Sequence, residues 1–166
     1  MLQKPKSSPI NESKYQFRKD WYSVLEAAAR EVFQMMAGAD LVGVAHADPP
    51  KPSEVVAMVG LAGELCGLLT VQCSKDSAIT IACHMLGIPE SDASVHAGDA
   101  LGEICNMVAG NFKSKIDGLE DKCMLSVPTV IIGSNYAVHS IISGHRIELL
   151  LLFHHRELWF RLEIRA

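Results

Sequence analysis

The sequence predicts an α+β fold, in which helices cover one face of a largely antiparallel β-sheet. Three segments show apolar residues at three- and four-residue intervals, as expected for helices that bury one side. The C-terminal third is rich in β-branched and large apolar residues, which favour strands. Helical and strand-like segments come in blocks rather than in strict alternation, and this order is typical of α+β domains.

Three segments carry the helical spacing. They cover residues 20–37, 75–86 and about 91–116. Gly38 and Gly87 follow the first two directly, and glycine is common immediately after a helix. Ser91 and Asp92 offer capping side chains near the start of the third helix, which is the longest.

Strand-like segments complete the predicted sheet. The apolar runs 54–61 and 64–73 are separated only by Ala62-Gly63, which predicts a β-hairpin. Four further segments follow the long helix, at residues 122–132, 136–142, 146–154 and 158–165. The last of them alternates apolar and polar residues, so we expect one buried face.

The composition is that of an ordinary folded domain. The chain has 166 residues, of which 49% are apolar and 20% charged. A chain of this length buries about two thirds of the surface that its unfolded form exposes. We therefore predict a single domain over residues 19–166, preceded by a flexible polar tail over residues 1–18.

The charge pattern argues against nucleic acid and membranes as partners. The net charge is −4 and the basic residues are scattered, so no block of lysines and arginines could neutralise a phosphate backbone. The most apolar stretch, residues 147–153, contains Glu148 and is far shorter than the ~20 residues that cross a bilayer. The five cysteines include no CxxC pair, which fits reduced thiols. We expect a cytoplasmic protein.

One face of the long predicted helix is polar. Asp99 is followed by Glu103, Asn106 and Gly110 at spacings that place all four within roughly 60° of arc at ~100° per residue. The opposite face is apolar and consists of Leu101, Ile104, Cys105, Val108 and Phe112. The helix should therefore dock through its apolar face and present the polar stripe outward.

The residue types on the side of this helix that is expected to be exposed are not those that favour helix stability. An asparagine and two glycines, Gly102 and Gly110, each cost up to ~1 kcal/mol relative to alanine in a helix. A closely packed partner would account for Gly110, because a missing side chain lets another backbone approach. The alternative is an ordinary solvated helix face.

The pattern D-x3-E-x2-N-x3-G resembles the active-site helix shared by the CheC, CheX and FliY phosphatases of bacterial chemotaxis. The likeness extends from about residue 20 to the C-terminus and includes the stretch 127–130. CheC and FliY carry this motif twice. The corresponding positions of the first helix hold Asp20, Val24 and Ala27, without the Glu and the Asn, so a single site is expected. The chain is therefore most similar to the CheX-like branch, and the resemblance implies a CheX-like fold and a homodimer.

The resemblance also implies a function. The chain would be a phosphatase that hydrolyses the phospho-aspartate of a CheY-like response-regulator receiver domain in chemotaxis or two-component signalling. Asn106 would orient the attacking water and Glu103 would pair with a receiver lysine. Gly110 would contact the partner, and Asp99 would either contact it as well or only favour the first half of the helix by opposing the macrodipole. No cofactor of its own is expected, since the receiver brings Mg²⁺.

Other functions remain open on the sequence alone. A non-catalytic receiver-binding or scaffold module of a signalling or flagellar assembly would bind the receiver without shortening the lifetime of its phosphate. A purely structural homodimer would neither bind the receiver nor change the lifetime of the phosphate. The seven histidines show no HExxH spacing, and His154-His155 fall at a predicted turn, so no metal site is expected. Cys105 lies on the apolar helix face, where we expect it to pack rather than react.

Overall fold

A computed structural model describes residues 20–44 and 53–165, and every structural statement below concerns these residues. The predicted tail over residues 1–18 lies outside them. In chain order the elements are α1 (Trp21–Ala37), β1 (Val42–Gly43), β2 (Val55–Gly63), β3 (Gly67–Cys73), α2 (Lys75–Leu86), α3 (Glu90–Ala93), a 3-10 turn (Ser94–His96), α4 (Ala97–Ser114), β4 (Cys123–Leu125), β5 (Thr129–Ile132), β6 (Gly144–Phe153) and β7 (Arg156–Arg165).

The strands form one seven-stranded sheet in which neighbouring strands are antiparallel. The order is β1-β6-β7-β3-β2-β4, and β5 also pairs with β2. Strands β4 and β5 thus share one edge, with β4 beside residues 61–63 of β2 and β5 beside residues 55–58. The predicted α+β class with a largely antiparallel sheet is confirmed.

Helices α1, α2 and α4 pack on one face of the sheet. Their contacts fall on alternate residues of the central strands, because successive side chains of a strand point to opposite faces. Phe33 of α1 reaches two strands, with its ring centroid 5.1 Å from that of Phe153 and 6.4 Å from that of Phe160. Trp21 and Phe112 join α1 to α4 in an edge-to-face contact at 5.9 Å.

The ends of α1 and α2 follow from local sequence. Gly38 and Gly87 both adopt left-handed conformations, with φ of 62° and 66°, which glycine enters without steric cost. At the start of α2, the Ser74 hydroxyl accepts a hydrogen bond from the backbone N–H of Ser77. The predicted helix over residues 75–86 is confirmed, and α1 ends at Ala37 as predicted, with Asp20 at its N-cap position but without the side-chain hydrogen bond of a cap.

The predicted hairpin is present, but its turn is two residues later than expected. Strand β2 continues through Gly63, and residues 64–66 make the turn. Gly63 has a φ of 124°, and a Cβ there would lie 2.2 Å from the carbonyl oxygen of Lys122. The glycine is required by the close approach of the chain leading into β4, which local turn signals do not report.

The long predicted helix is broken near its start. Ser91 and Asp92 lie inside the short helix α3, whose first residue follows Pro89, and the 3-10 turn separates α3 from α4. Neither residue therefore caps the helix that carries the polar stripe. His96 occupies that capping position without a side-chain hydrogen bond to the helix.

The prediction of a strand over residues 136–142 is wrong. Partly buried and exposed residues alternate along it as they would in a strand, but none of it pairs with a strand of the described sheet. The segment connects β5 to β6, which lie on opposite sides of β2, β3 and β7, and it crosses the sheet face that the helices leave open. The Tyr136 hydroxyl donates to the carbonyl oxygen of Ser53 at 3.0 Å, and Val138 shares a cavity with Thr70 and Arg161.

Candidate functional site

Helix α4 holds the candidate site on a rigid support. Its apolar face is buried as predicted, and Leu101, Ile104 and Val108 have no exposed surface. Asp99 lies in the first turn, where its negative charge opposes the positive end of the helix dipole. The helix packs across β2 and between α1 and α2, so its orientation is fixed on several sides.

The polar stripe faces outward. Asp99 and Glu103 are exposed, and Asn106 and Gly110 are partly exposed. Within residues 20–44 and 53–165, the side chains of Asp99, Glu103 and Asn106 make no hydrogen bond or ion pair. Their carboxylates and carboxamide are therefore available to another molecule.

The glycines of α4 differ in what surrounds them. A Cβ on Gly102 would lie 3.0 Å from Val130 Cγ2, and one on Gly98 would lie 2.8 Å from Ile132 Cδ1. Gly102 is thus buried against β5, and the expectation that it lies on the exposed face is wrong. Gly110 has room for a Cβ, since Leu125 Cδ1 at 3.9 Å is the nearest neighbour. The fold itself gives no reason for a glycine at position 110.

Hydrogen bonds connect the C-terminal end of α4 to α1 and to the chain that follows α4. Lys113 Nζ donates to the carbonyl oxygens of Glu120 and Cys123, at 2.8 Å in each case. Glu31 of α1 accepts from Lys115 Nζ at 2.7 Å and from Asn111 Nδ2 at 3.0 Å. The hydrogen bond from Lys115, followed by that from Asn111, lowers the pKa of Glu31 below its ordinary value. These contacts fasten α4 to α1 and to the chain that follows it.

A cavity of about 230 Å³ adjoins the stripe on the side of α2. Its lining residues are Met85, Leu86, His96, Asp99, Ala100 and Glu103. Sequence reasoning identified Asp99 and Glu103 but missed the residues of α2. No signal in the sequence could have found them, because only the packing of α2 against α4 brings Met85 and Leu86 beside Glu103.

The buried thiol of Cys105 and the ring of His154 are two further reactive groups in the described part of the chain. Burial raises the pKa of the Cys105 thiol to about 12, so the thiol stays protonated at neutral pH, in agreement with the predicted packing role. His154 and His155 lie in the turn between β6 and β7, and the His154 ring stacks on that of His84 at 4.3 Å.

Residues 20–44 and 53–165 contain neither a cluster of metal ligands nor a membrane-spanning helix. No group of three or more His, Cys, Asp or Glu residues among them is arranged to hold a metal ion. In the same part of the chain, no helix has the length and apolar character needed to cross a membrane.

The chain matches one protein family. The family model described as "Chemotaxis phosphatase CheX" matches residues 55–151, which is more than half of the chain and includes the whole polar stripe. The CheY-P phosphatase CheX of Thermotoga maritima is 29% identical over 90 residues, which are 54% of this chain and 58% of that relative. The match therefore spans little more than half the length of this curated relative.

Solved structures share the fold over almost the whole chain. The chemotaxis protein CheX of Vibrio vulnificus has a TM-score of 0.73 and 20% identity, with 91% of this chain and 100% of that one covered. The CheX of a CheX-CheY-BeF₃-Mg²⁺ complex from Borrelia burgdorferi also has a TM-score of 0.73 and 20% identity, with 90% and 100% covered. At this identity the likeness shows the CheX fold alone, but the family match carries the assignment further. The chain belongs to the CheX family of chemotaxis phosphatases.

Proposed function

We propose that this chain is a phosphatase that hydrolyses the phospho-aspartate of a CheY-like receiver domain. The observation that carries the proposal is the outward-facing pair of Glu103, which is exposed, and Asn106, which is partly exposed, one helical turn apart on a helix whose other face is buried. A carboxylate and a carboxamide held in this way can enter the active site of a second protein together. The names of the Thermotoga relative and of the Borrelia complex, a CheY-P phosphatase and a CheX-CheY assembly, support CheY as the class of partner.

Asn106 would act by positioning water. An aspartyl phosphate is an activated acyl phosphate, and the receiver's own Mg²⁺ neutralises charge on the transferring group, so the phosphatase supplies orientation rather than a nucleophile. The carboxamide of Asn106 can accept a hydrogen bond from the attacking water and donate one to a phosphoryl oxygen. An amide does not take up a proton near neutral pH, so Asn106 is not a general base.

Glu103 would fix the register of the two proteins. Its exposed carboxylate can pair with the lysine that receiver domains place beside the phosphate, in a charge-assisted hydrogen bond. This contact would set where Asn106 enters the receiver, because the two residues project from the same rigid helix. Asp99, one turn earlier, would extend the acidic surface that meets the partner.

Gly110 offers a separate test of whether the receiver backbone approaches α4 closely. We expect Gly110→Ala to raise the free energy of unfolding by up to ~1 kcal/mol, since the new Cβ has room and alanine favours the helix. If the receiver backbone approaches at this position, the same change weakens receiver binding. Thermal unfolding and binding to a beryllofluoride-activated receiver measure the two effects. Tighter binding of Gly110→Ala would show that no backbone approaches there.

The experiment for the proposed function is a panel assay. Each CheY-like receiver of the host cell is phosphorylated from radiolabelled acetyl phosphate and incubated with the chain in Mg²⁺, and the loss of label is timed. Faster loss from one receiver is the expected result. Binding with an unchanged phosphate lifetime across the panel would indicate the non-catalytic receiver-binding or scaffold module instead.

We further propose that the chain works as a cytoplasmic homodimer. In the described part of the chain, β1 pairs with β6 only at residues 151 and 152, so the edge of β6 over residues 146–150 has no neighbouring strand and a second copy could extend the sheet there. Sedimentation equilibrium should give twice the chain mass of 18.1 kDa. A monomer at all accessible concentrations would contradict the dimer and leave the phosphatase proposal intact.

A further inference from the structure

The cavity between α2 and α4 has an apolar floor. Ala100 is only 6% exposed and Met85 is half-buried, and both line the cavity. Leu86, the last residue of α2, is 51% exposed and forms one wall. An exposed leucine beside a recess of about 230 Å³ offers room for an apolar side chain from outside.

Leu86 is held in place by the end of its helix. The backbone N–H of Gly87 donates to the carbonyl oxygen of Cys83 at 2.8 Å, and Gly87 turns the chain with a φ of 66°. Pro89 then leads directly into α3. The backbone at Leu86 is therefore ordered before any partner binds, which lowers the entropic cost of binding there.

The rim of the cavity is acidic. The carboxylates of Asp99 and Glu103 are both exposed there, with His96 beside them, and among the described residues no lysine or arginine lines the cavity. A partner surface that places basic groups around an apolar side chain would complement this rim, whereas an acidic surface would be repelled.

The cavity is continuous with the candidate site. Glu103 belongs to both, so a basic group that pairs with Glu103 brings its own neighbours over the mouth of the cavity. We propose that the cavity receives an apolar side chain of the receiver domain, adjacent to the receiver lysine that pairs with Glu103. This inference rests on the proposed function and makes the C-terminal end of α2 a second recognition element beside α4.

Leu86→Ala tests the inference directly. The variant should bind a beryllofluoride-activated receiver about tenfold more weakly, the size of effect expected for part of a buried leucine side chain. The turnover number at saturating phosphorylated receiver should stay within about twofold of wild type, since Leu86 does not touch the reacting groups. Leu86→Lys should bind more weakly still, because it adds a positive charge opposite a basic partner surface.

Ile141 provides the matched control. It is 99% exposed and lies on the segment that crosses the opposite face of the sheet. Ile141→Ala and Ile141→Lys should leave receiver affinity unchanged. Circular dichroism melting of all four variants separates loss of binding from loss of folding, and Leu86 is exposed enough for the fold to persist.

Three results would overturn the inference. Unchanged affinity of both Leu86 variants, with turnover still lost in Asn106→Ala, would remove the cavity from the interface and leave the phosphatase standing. A change in sedimentation mass on Leu86→Ala, with receiver affinity unaltered, would assign the cavity to a second copy of the chain. Failure of the wild-type chain to bind any receiver would overturn this inference and the proposed function together.

Discussion

Asn106→Ala is expected to lower the turnover of phosphorylated receiver by ~10²-fold, which corresponds to about 3 kcal/mol of transition-state stabilisation. The carboxamide makes no hydrogen bond within the described residues, so its removal should leave the fold intact. Receiver affinity should change little, because the water that Asn106 orients contributes to the transition state rather than to binding. Single-turnover decay of labelled receiver at saturating phosphatase measures this step.

Asn111→Ala is the matched control for Asn106→Ala. Both asparagines are on α4, but the Asn111 side chain donates to Glu31 of α1 and so serves packing between helices. Asn111→Ala should keep the wild-type rate with a small loss of stability. Equal rates of receiver dephosphorylation for wild type and Asn106→Ala would show that Asn106 does not orient the attacking water.

Glu103→Ala is expected to weaken both binding and turnover. A hydrogen bond to a charged group contributes about 1.5–3 kcal/mol, so receiver affinity should fall ~10- to 100-fold. Turnover should fall as well, because the loss of register lets Asn106 enter the receiver in more than one position. Titration of beryllofluoride-activated receiver and single-turnover decay give the two values.

The salt dependence of receiver affinity distinguishes a specific ion pair between Glu103 and a receiver lysine from attraction by net charge. Affinity of wild type should decrease as salt is raised, and Glu103→Ala should show a weaker dependence. Glu120→Ala removes a similarly exposed carboxylate in the loop after α4 and should behave as wild type. The same affinity loss in Glu120→Ala and Glu103→Ala would mean that net charge, rather than a lysine contact, drives association.

Sequence patterns predicted the elements whose boundaries depend on local chemistry. Helix α2 has its predicted ends because a serine cap and a left-handed glycine act within a few residues of it. The predicted strand at 136–142 was wrong, because a pattern of β-branched and large apolar residues indicates partial burial and does not report a hydrogen-bonded neighbour. A segment that crosses the face of a sheet produces the same pattern.

The candidate site also has a part that local sequence predicts and a part that depends on packing between helices. Helical periodicity alone placed Glu103 and Asn106 on one outward stripe, since the spacing of residues on a helix is fixed. Gly102 was expected on the exposed face from its residue type, but the structure buries Gly102 against Val130 of β5. The cavity formed with Leu86 could not be predicted, because it arises only from the packing of α2 against α4.

The most direct test of the central claim is the rate of phosphate release from a phosphorylated CheY receiver with wild-type chain and with the double variant Glu103→Ala/Asn106→Ala. The chain should release phosphate well above the spontaneous rate, and the double variant should return release close to that rate while keeping its folded circular dichroism spectrum. A double variant as fast as wild type would contradict the claim that these two exposed side chains carry the activity.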